Sequence, residues 1–238
     1  MERRFDKELH RRYLTNLLTS IAKAFPGKIA FKGGTCALFF YNLPRFSFDL
    51  DFDMLEPFPD EDVVRLRSIL AREGRIFDWQ DKRFTLLGVL DYGGGYPNIK
   101  IELNKRLWAA NKSKSVLFLG VPLIIPDETT ILTNKLIALT DRKTPVARDL
   151  YDVWYFLKMG FRVNPDLIKE RTGKTTDELL QTTAKFVQKT FTPRNVLQGL
   201  GEALDDDQKQ WAKRQLIEDT INMLNSFLGM SISKPKKH

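Results

Sequence analysis

Three aspartates alternate with apolar residues in one short segment, Phe48 to Met54. This alternation predicts a half-buried β-strand with Asp49, Asp51 and Asp53 on its polar face. Residues two apart on a strand lie about 6–7 Å apart on the same face, so Asp49 and Asp51 could bind a shared pair of divalent cations. Such a pair supports in-line phosphoryl transfer, with substrate phosphates completing the coordination. An exposed acidic strand face without a metal stays open as the simpler interpretation.

A third acid is available from a second predicted strand, Asn98 to Leu103. Lys100 and Glu102 share the polar face of this strand, because the apolar residues alternate with them. We take Glu102 as the third ligand. Asp91, at the end of the partner strand, is the alternative.

Gly33 and Gly34 follow a short predicted strand and open a helix. Glycine permits positive φ and close backbone approach, and the N–H groups at a helix start bind phosphate. Thr35 could add a hydroxyl to such a site and also cap the helix. The alternative is a tight strand–helix turn without a ligand. The turn becomes more informative because an acidic strand follows it closely.

The elements that position these residues change in character near Pro126. Before it, the patterns predict both helices and strands: helices over 6–25, from Gly33 to about Tyr41 and over 60–73, and strands over 28–31, 48–54, 83–91, 98–104 and 115–125. Strands 83–91 and 98–104 should form a hairpin around Gly93–Pro97. After Pro126 we predict only helices, over 127–142, 147–159, 165–190 and onward to about 228. The chain is therefore predicted to be α/β (α+β), with a core over 1–126 and a helical domain over 127–238.

Lys135 lies on the apolar stripe of its predicted helix, together with Ile131 and Leu139. A lysine there must extend to solvent or find a partner. One interpretation is a cation that reaches the phosphates of a nucleotide across a domain cleft. The other is a lysine that extends from a core helix to solvent.

Asp149 and Asp152 are three residues apart in the next predicted helix and are therefore neighbours on its surface. Asp149 in the first turn could simply cap the helix or favour its dipole.

Taken together, the motifs resemble the AbiEii/AbiGii toxin-type nucleotidyltransferases, which carry a K-G-G-T signature followed by R-x-S-x-D-h-D-h. The matching segments are Phe31–Thr35, Leu43–Phe52, Ile99–Glu102, Lys135–Leu139 and Arg148–Asp152. The resemblance covers about residues 28–160, and the last third of the chain matches only as generic helices. Glu102 departs from the family, in which aspartate is more usual, and its longer arm leaves the metal geometry less defined.

The resemblance implies a polymerase-β-like nucleotidyltransferase core with a mixed sheet, followed by the helical domain. It implies transfer of NMP from an NTP to an acceptor hydroxyl, with Mg²⁺ or Mn²⁺ on Asp49, Asp51 and Glu102. Lys135 and Asp152 are expected to be catalytic. The residues expected to bind the nucleotide are Lys32, Gly33, Gly34, Thr35, Arg45, Ser47, Arg148 and Asp149. Whether Asp149 or Asp152 holds Lys135, Arg142 or the substrate stays open.

Members of the family are toxins of toxin–antitoxin or phage-defence systems, and some extend tRNA 3′ ends. We therefore expect RNA, specifically a tRNA 3′ end, as the acceptor and a cognate antitoxin as a partner. Two alternatives stay open: transfer to a protein or small molecule, and a non-catalytic nucleic-acid-binding protein on the same fold. The intact acids Asp49, Asp51 and Glu102 argue against the non-catalytic alternative.

Composition sets further limits. A net charge of +8 and a pI near 9.5 favour an anionic partner. Part of that charge lies in a basic tail with Lys234, Lys236 and Lys237, which we expect to be disordered. The single cysteine, Cys36, excludes an internal disulfide and a Cys-rich zinc site. No apolar stretch approaches the roughly 20 residues that span a bilayer, and the N-terminus lacks a signal-peptide core, so we expect a cytoplasmic protein without a membrane partner.

Overall fold

A computed structural model describes residues 5–142 and 144–232, with side chains as far as residue 228. The predicted basic tail, with Lys234, Lys236 and Lys237, lies outside the described residues. The chain divides into two compact units. The sheet unit takes in Met1–Asn42, Ser47–Leu107 and Ser113–Pro126, and the helical unit takes in Leu43–Phe46, Trp108–Lys112 and Asp127–His238.

The sheet unit is built on five strands: β1 (Ile29–Lys32), β2 (Leu50–Met54), β3 (Arg75–Asp81), β4 (Thr85–Asp91) and β5 (Ile99–Asn104). Their spatial order is β1-β2-β5-β4-β3. Strands β2 and β5 are parallel, and every other neighbouring pair in this sheet is antiparallel. The predicted mixed sheet is therefore confirmed, as is the predicted hairpin of β4 and β5.

Three helices and a hairpin complete this unit: α1 (Lys7–Ala24), α2 (Gly33–Phe40), α3 (Asp60–Glu73), and the pair β6 (Ser113–Phe118) and β7 (Val121–Pro126). The alternation of β2 and β5 divides the two faces of the sheet. Leu50, Phe52, Ile101 and Leu103 are buried in the core. The intervening acids project to the opposite, polar face, as the pattern predicts.

The helical unit contains α4 (Glu128–Asp141), α5 (Ala147–Lys158), α6 (Pro165–Thr172), α7 (Thr176–Thr190), α8 (Asp206–Arg214) and α9 (Leu216–Ile232). Helix α5 is its centre, because its residues from Asp149 to Leu157 are all buried. It packs against α4 and α9, and α9 also packs against α7. No helix in the described ranges is long and apolar enough to cross a membrane.

Two sequence predictions need correction. The helix predicted over 165–190 is two helices, because Gly173 adopts φ 71° and ends α6 and a Thr175–Glu178 capping box starts α7. Strand β3 was not predicted. It is an edge strand with an irregularity between Ile76 and Asp78, so its alternation is broken.

Candidate functional site

The carboxylate of Asp51 lies directly against the backbone of Gly33, the first residue of α2. A Cβ on Gly33 would come within 2.1 Å of Asp51 Oδ2. Gly33 also adopts φ +80°, a region that residues with a side chain rarely occupy. Both features require glycine here, and together they place an acid at the N-terminus of a helix.

Glu102 is the register partner of Asp51 in the parallel β2–β5 pair. Their Cα atoms are therefore roughly 4.8 Å apart, and both side chains project from the same face of the sheet. Asp51 is partly exposed and Glu102 is exposed. The structure thus brings together two of the three predicted metal ligands.

Asp49 immediately precedes β2 and is oriented by two neighbouring elements. Its Oδ1 accepts a hydrogen bond from the Lys100 backbone N–H, at 3.1 Å. Its carbonyl oxygen accepts one from the hydroxyl of Thr35. The fully buried Thr35 side chain therefore ties α2 to the segment that carries Asp49.

Asp53, the third acid of the alternating run, has a different environment. It is 8% exposed, pairs with the ammonium of Lys32 and accepts a hydrogen bond from Asn104 Nδ2 at 2.7 Å. Asp91, the alternative third ligand, pairs with Arg75 at 2.8 Å and accepts a hydrogen bond from Gly93 N–H at 2.9 Å. The Arg75 guanidinium and this N–H hold the pKa of Asp91 below its ordinary value.

His10 was not predicted to have a role, and the structure places it beside the segment that carries Asp49. Its ring is fully buried. Nε2 lies 2.9 Å from the carbonyl oxygen of Phe48, and Nδ1 lies 2.7 Å from the hydroxyl of Tyr92. Burial lowers the pKa of His10, and the Phe48 hydrogen bond opposes that shift. The sequence signal was weak, because a single histidine on a helix is usually a core residue.

A network of charges centred on two buried acids, Asp149 and Asp152, occupies the helical unit. Arg45 binds both carboxylate oxygens of Asp152, with Nη2 2.7 Å from Oδ2. Lys135 Nζ lies 2.7 Å from Asp152 Oδ2 and 3.6 Å from Asp149 Oδ1. Arg142 Nε lies 2.8 Å from Asp149 Oδ2 in an ion pair without hydrogen-bond alignment. Both acids therefore hold Lys135, and Asp149 also holds Arg142.

Desolvation and charge oppose each other in this network. Burial alone would raise the pKa of Asp152, but Arg45 and Lys135 outweigh it and hold that pKa below its ordinary value. The Asp152 side chain is 0% exposed and that of Lys135 is 13% exposed. Lys135 is therefore the more accessible of the two, and Asp152 is enclosed by its cations.

The remaining predicted residues are distributed over both units. Arg45 is only 4% exposed, and Ser47 is buried as well. Gly34 is buried in the first turn of α2, and Arg148 is partly exposed in the first turn of α5. The sequence motif gave no sign that Arg45 is buried.

A protein-family profile described as nucleotidyl transferase AbiEii toxin, type IV toxin–antitoxin system, matches residues 16–220. Two solved structures share the fold. A candidate nucleotidyltransferase from H. pylori is 18% identical with a TM-score of 0.61, over 97% of this chain and 98% of that chain. JHP933 from Helicobacter pylori is 17% identical with a TM-score of 0.56, over 96% and 98% respectively. No curated protein matches the sequence.

Proposed function

The chain belongs to the AbiEii family of nucleotidyl transferase toxins of type IV toxin–antitoxin systems, and we propose that it transfers NMP from an NTP to RNA. The acceptor we propose is the 3′-terminal hydroxyl of tRNA. In the reaction, the acceptor hydroxyl gives up its proton to solvent as its oxygen attacks the α-phosphorus, and pyrophosphate leaves with the electrons of the broken P–O bond. We further propose that the protein acts in the cytoplasm, as the toxin of a toxin–antitoxin or phage-defence pair with a cognate antitoxin.

The observation that carries this proposal is the position of Asp51. Its carboxylate lies on Gly33 at the start of α2 and in register with Glu102. The N-terminal end of a helix favours phosphate, and α2 has no side-chain cap at Lys32. Acids and a phosphate-favouring turn therefore meet at one point, which is the arrangement that nucleotidyl transfer needs.

The acids fit a divalent cation that is shared with the substrate. Within the described ranges, no three His, Cys, Asp or Glu residues are grouped closely enough to form a protein-only metal cage. Mg²⁺ is commonly held by one or two carboxylates together with substrate phosphates, and oxygen donors also suit Mn²⁺. We propose that Asp51 and Glu102 bind the cation together with substrate phosphates, and that Asp49 contributes its negative charge from beside this pair. When bound, the cation would neutralise charge on the triphosphate and acidify the acceptor hydroxyl.

The other residues of the sheet unit orient these acids. Thr35 and Lys100 fix Asp49 from two sides. We propose that backbone N–H groups at the start of α2 bind the triphosphate, beside the Asp51 carboxylate that lies against Gly33. Lys32 directly precedes Gly33 and Gly34, and its ammonium pairs with Asp53. We propose that it also contributes positive charge to the triphosphate site.

In the helical unit we propose different roles for Lys135 and Asp152. The partly accessible ammonium of Lys135 would bind a phosphate of the nucleotide. Asp152, which is enclosed by Arg45 and Lys135, would act by positioning these cations and not by touching substrate. Asp149 would steady Lys135 and Arg142 in the same way. Arg148, in the first turn of α5, is a further candidate for the nucleotide.

The test is incubation of the protein with Mg²⁺, total tRNA and each α-³²P-labelled NTP in turn. We expect label in tRNA from one preferred NTP, and no label with Asp51→Asn. RNA binding should weaken steeply as salt rises, because cations that neutralise phosphates release counterions. Label in polypeptide after RNase treatment, with tRNA neither bound nor extended, would overturn the RNA acceptor and leave nucleotidyl transfer standing.

A further inference from the structure

Three tyrosines form a stack at the end of β4. The ring centroids of Tyr13 and Tyr92 are 4.4 Å apart with an interplanar angle of 32°. Those of Tyr92 and Tyr96 are 5.9 Å apart, and the planes are nearly parallel at 9°. All three side chains are partly exposed, so this tyrosine stack is not closed into the core.

The loop between β4 and β5 is shaped to hold Tyr96, an end ring of the stack. Gly93, Gly94 and Gly95 adopt φ of 86°, 71° and 72°, a run that only glycines adopt without strain. A Cβ on Gly94 would come within 2.6 Å of the Tyr96 ring. Glycine at position 94 therefore leaves the room that the Tyr96 ring needs.

Tyr92, the middle ring of the stack, is connected to the carboxylate site through His10. Because a carbonyl can only accept, the Nε2–H of His10 donates to Phe48, and Nδ1 accepts from the hydroxyl of Tyr92. Phe48 immediately precedes Asp49 in the sequence. Asp49 Oδ1 in turn accepts from Lys100 N–H at the start of β5, just beyond the glycine loop. The stack and Asp49 are thus fixed to the same end of the sheet.

We propose that the tyrosine stack binds a nucleobase of the substrate whose phosphate or hydroxyl reacts at the Asp49, Asp51 and Glu102 site. This inference rests on the proposed nucleotidyl transfer. Aromatic rings bind bases of any sequence, because every base has a π-face. Tyr96 is the contact surface, since Tyr92 lies behind it and is held by His10. The base comes either from the incoming NTP or from the 3′ end of the acceptor RNA.

The test compares Tyr96→Ala, Tyr96→Phe and Phe77→Ala. Phe77 is the matched control, because it is 64% exposed in the same unit and lies on β3 at the sheet edge. Two equilibrium affinities are measured with Mg²⁺: that for a fluorescent NTP, and that for a labelled single-stranded RNA of about ten nucleotides, within the usual 4–16 nucleotide site sizes. Neither measurement needs turnover, so failure of the transfer reaction leaves the binding result readable.

We expect Tyr96→Ala to weaken one of the two affinities roughly 5- to 150-fold, which corresponds to one lost base–aromatic stack. Tyr96→Phe should retain the wild-type affinity, and Phe77→Ala should change neither. Loss of RNA affinity alone identifies the acceptor base, and loss of NTP affinity alone identifies the base of the donor. Unchanged affinity for both ligands in a folded Tyr96→Ala protein would overturn the proposal. If Tyr96→Ala does not fold, Tyr96→Leu replaces it, and wild-type affinity in that variant would overturn it equally.

Discussion

Replacing Gly33 with alanine should damage the site through a single added carbon atom. The Cβ would lie 2.1 Å from Asp51 Oδ2, 2.8 Å from Cγ and 2.9 Å from Cβ of Asp51. Because Asp51 Cβ is also too close, rotating the carboxylate does not relieve the overlap. Ordinary contact begins at about 3.4 Å, so Oδ2 must move by about 1.3 Å, from 2.1 Å, and the Cβ of Asp51 by about 0.5 Å, from 2.9 Å.

Two costs follow, and they can be separated. The left-handed backbone costs an alanine roughly 1–2 kcal/mol. Displacing the acid is a cost to catalysis, because a misplacement of about 1 Å can lower the rate on the order of 100-fold. Gly27→Ala is the matched control, because Gly27 has φ +76° with nothing within 4 Å of the added Cβ. Gly27→Ala should show the loss of stability from backbone strain but not the loss of turnover from displacement of the acid.

The assay is the rate of transfer of α-³²P label to tRNA, with thermal unfolding followed by circular dichroism. We expect both variants to melt below the wild type, and Gly33→Ala to melt lowest because the overlap adds to the backbone strain. Turnover should fall about 100-fold in Gly33→Ala and stay near wild type in Gly27→Ala. Equal turnover in the two alanine variants would refute the argument that Asp51 must rest on Gly33.

Three further predictions follow from individual contacts. Asp51→Asn should lower turnover at least about 100-fold with little change in melting temperature, because the proposed metal ligand is lost and no core contact is removed. Asp152→Asn leaves Arg45 buried without its acid and removes the nearer of the two acids that hold Lys135, and it should cost about 3–5 kcal/mol in urea unfolding. Asp206→Asn, which removes an exposed pair with Lys209, should cost nothing measurable, and equal midpoints for Asp152→Asn and Asp206→Asn would contradict the prediction. Burial lowers the pKa of His10. Its contribution to the free energy of unfolding should therefore be complete above pH of about 6.5 and be lost as pH falls through the folded-state pKa. His10→Asn should abolish that part of the pH dependence of unfolding.

Asp152 should also make the free energy of unfolding depend on pH in the acidic range. Its folded-state pKa is lowered, so its contribution is complete above the unfolded value of about 3.9 and declines as pH falls through the folded-state pKa. The difference in the free energy of unfolding between wild type and Asp152→Asn should therefore become smaller as the pH is lowered. A constant difference from neutral pH to pH of about 2 would contradict this linkage.

Sequence patterns predicted the local parts of the site well. The alternation around Asp51 and around Glu102 reflects a period of two on half-buried strands, and the structure has both strands. The glycine pair was interpreted as a phosphate-binding turn; the structure places the Asp51 carboxylate beside Gly33, and phosphate binding there stays a prediction. These features depend on neighbours in sequence, which a pattern can capture.

Pairings between distant segments could not be predicted in the same way. Arg45 and Asp152 are separated by 107 positions, and no periodicity indicates that an arginine in a loop becomes buried against a helix. Strand β3 lacks a clean apolar face because of its irregularity. The break between α6 and α7 could have been predicted from the sequence. Gly173 is a helix stop signal, and Thr175 with Glu178 forms a capping box that starts the next helix.

Three aspartates in one repeating pattern have three different environments because of strand register. Asp53 is flanked by Ala30 and Asn104 in the sheet, where a small residue and an amide leave room for the Lys32 ammonium to neutralise it. Asp51 is flanked by Lys32 and Glu102 and lies on Gly33, so it stays accessible beside a second acid. Asp49 precedes the strand, where the Lys100 backbone N–H donates to its carboxylate and the Thr35 hydroxyl donates to its carbonyl oxygen. A shift of one residue in the β2–β5 pairing would move all three acids to the apolar face. The buried Phe52 and Leu103 that oppose such a shift therefore maintain the geometry of the acids as well as the core.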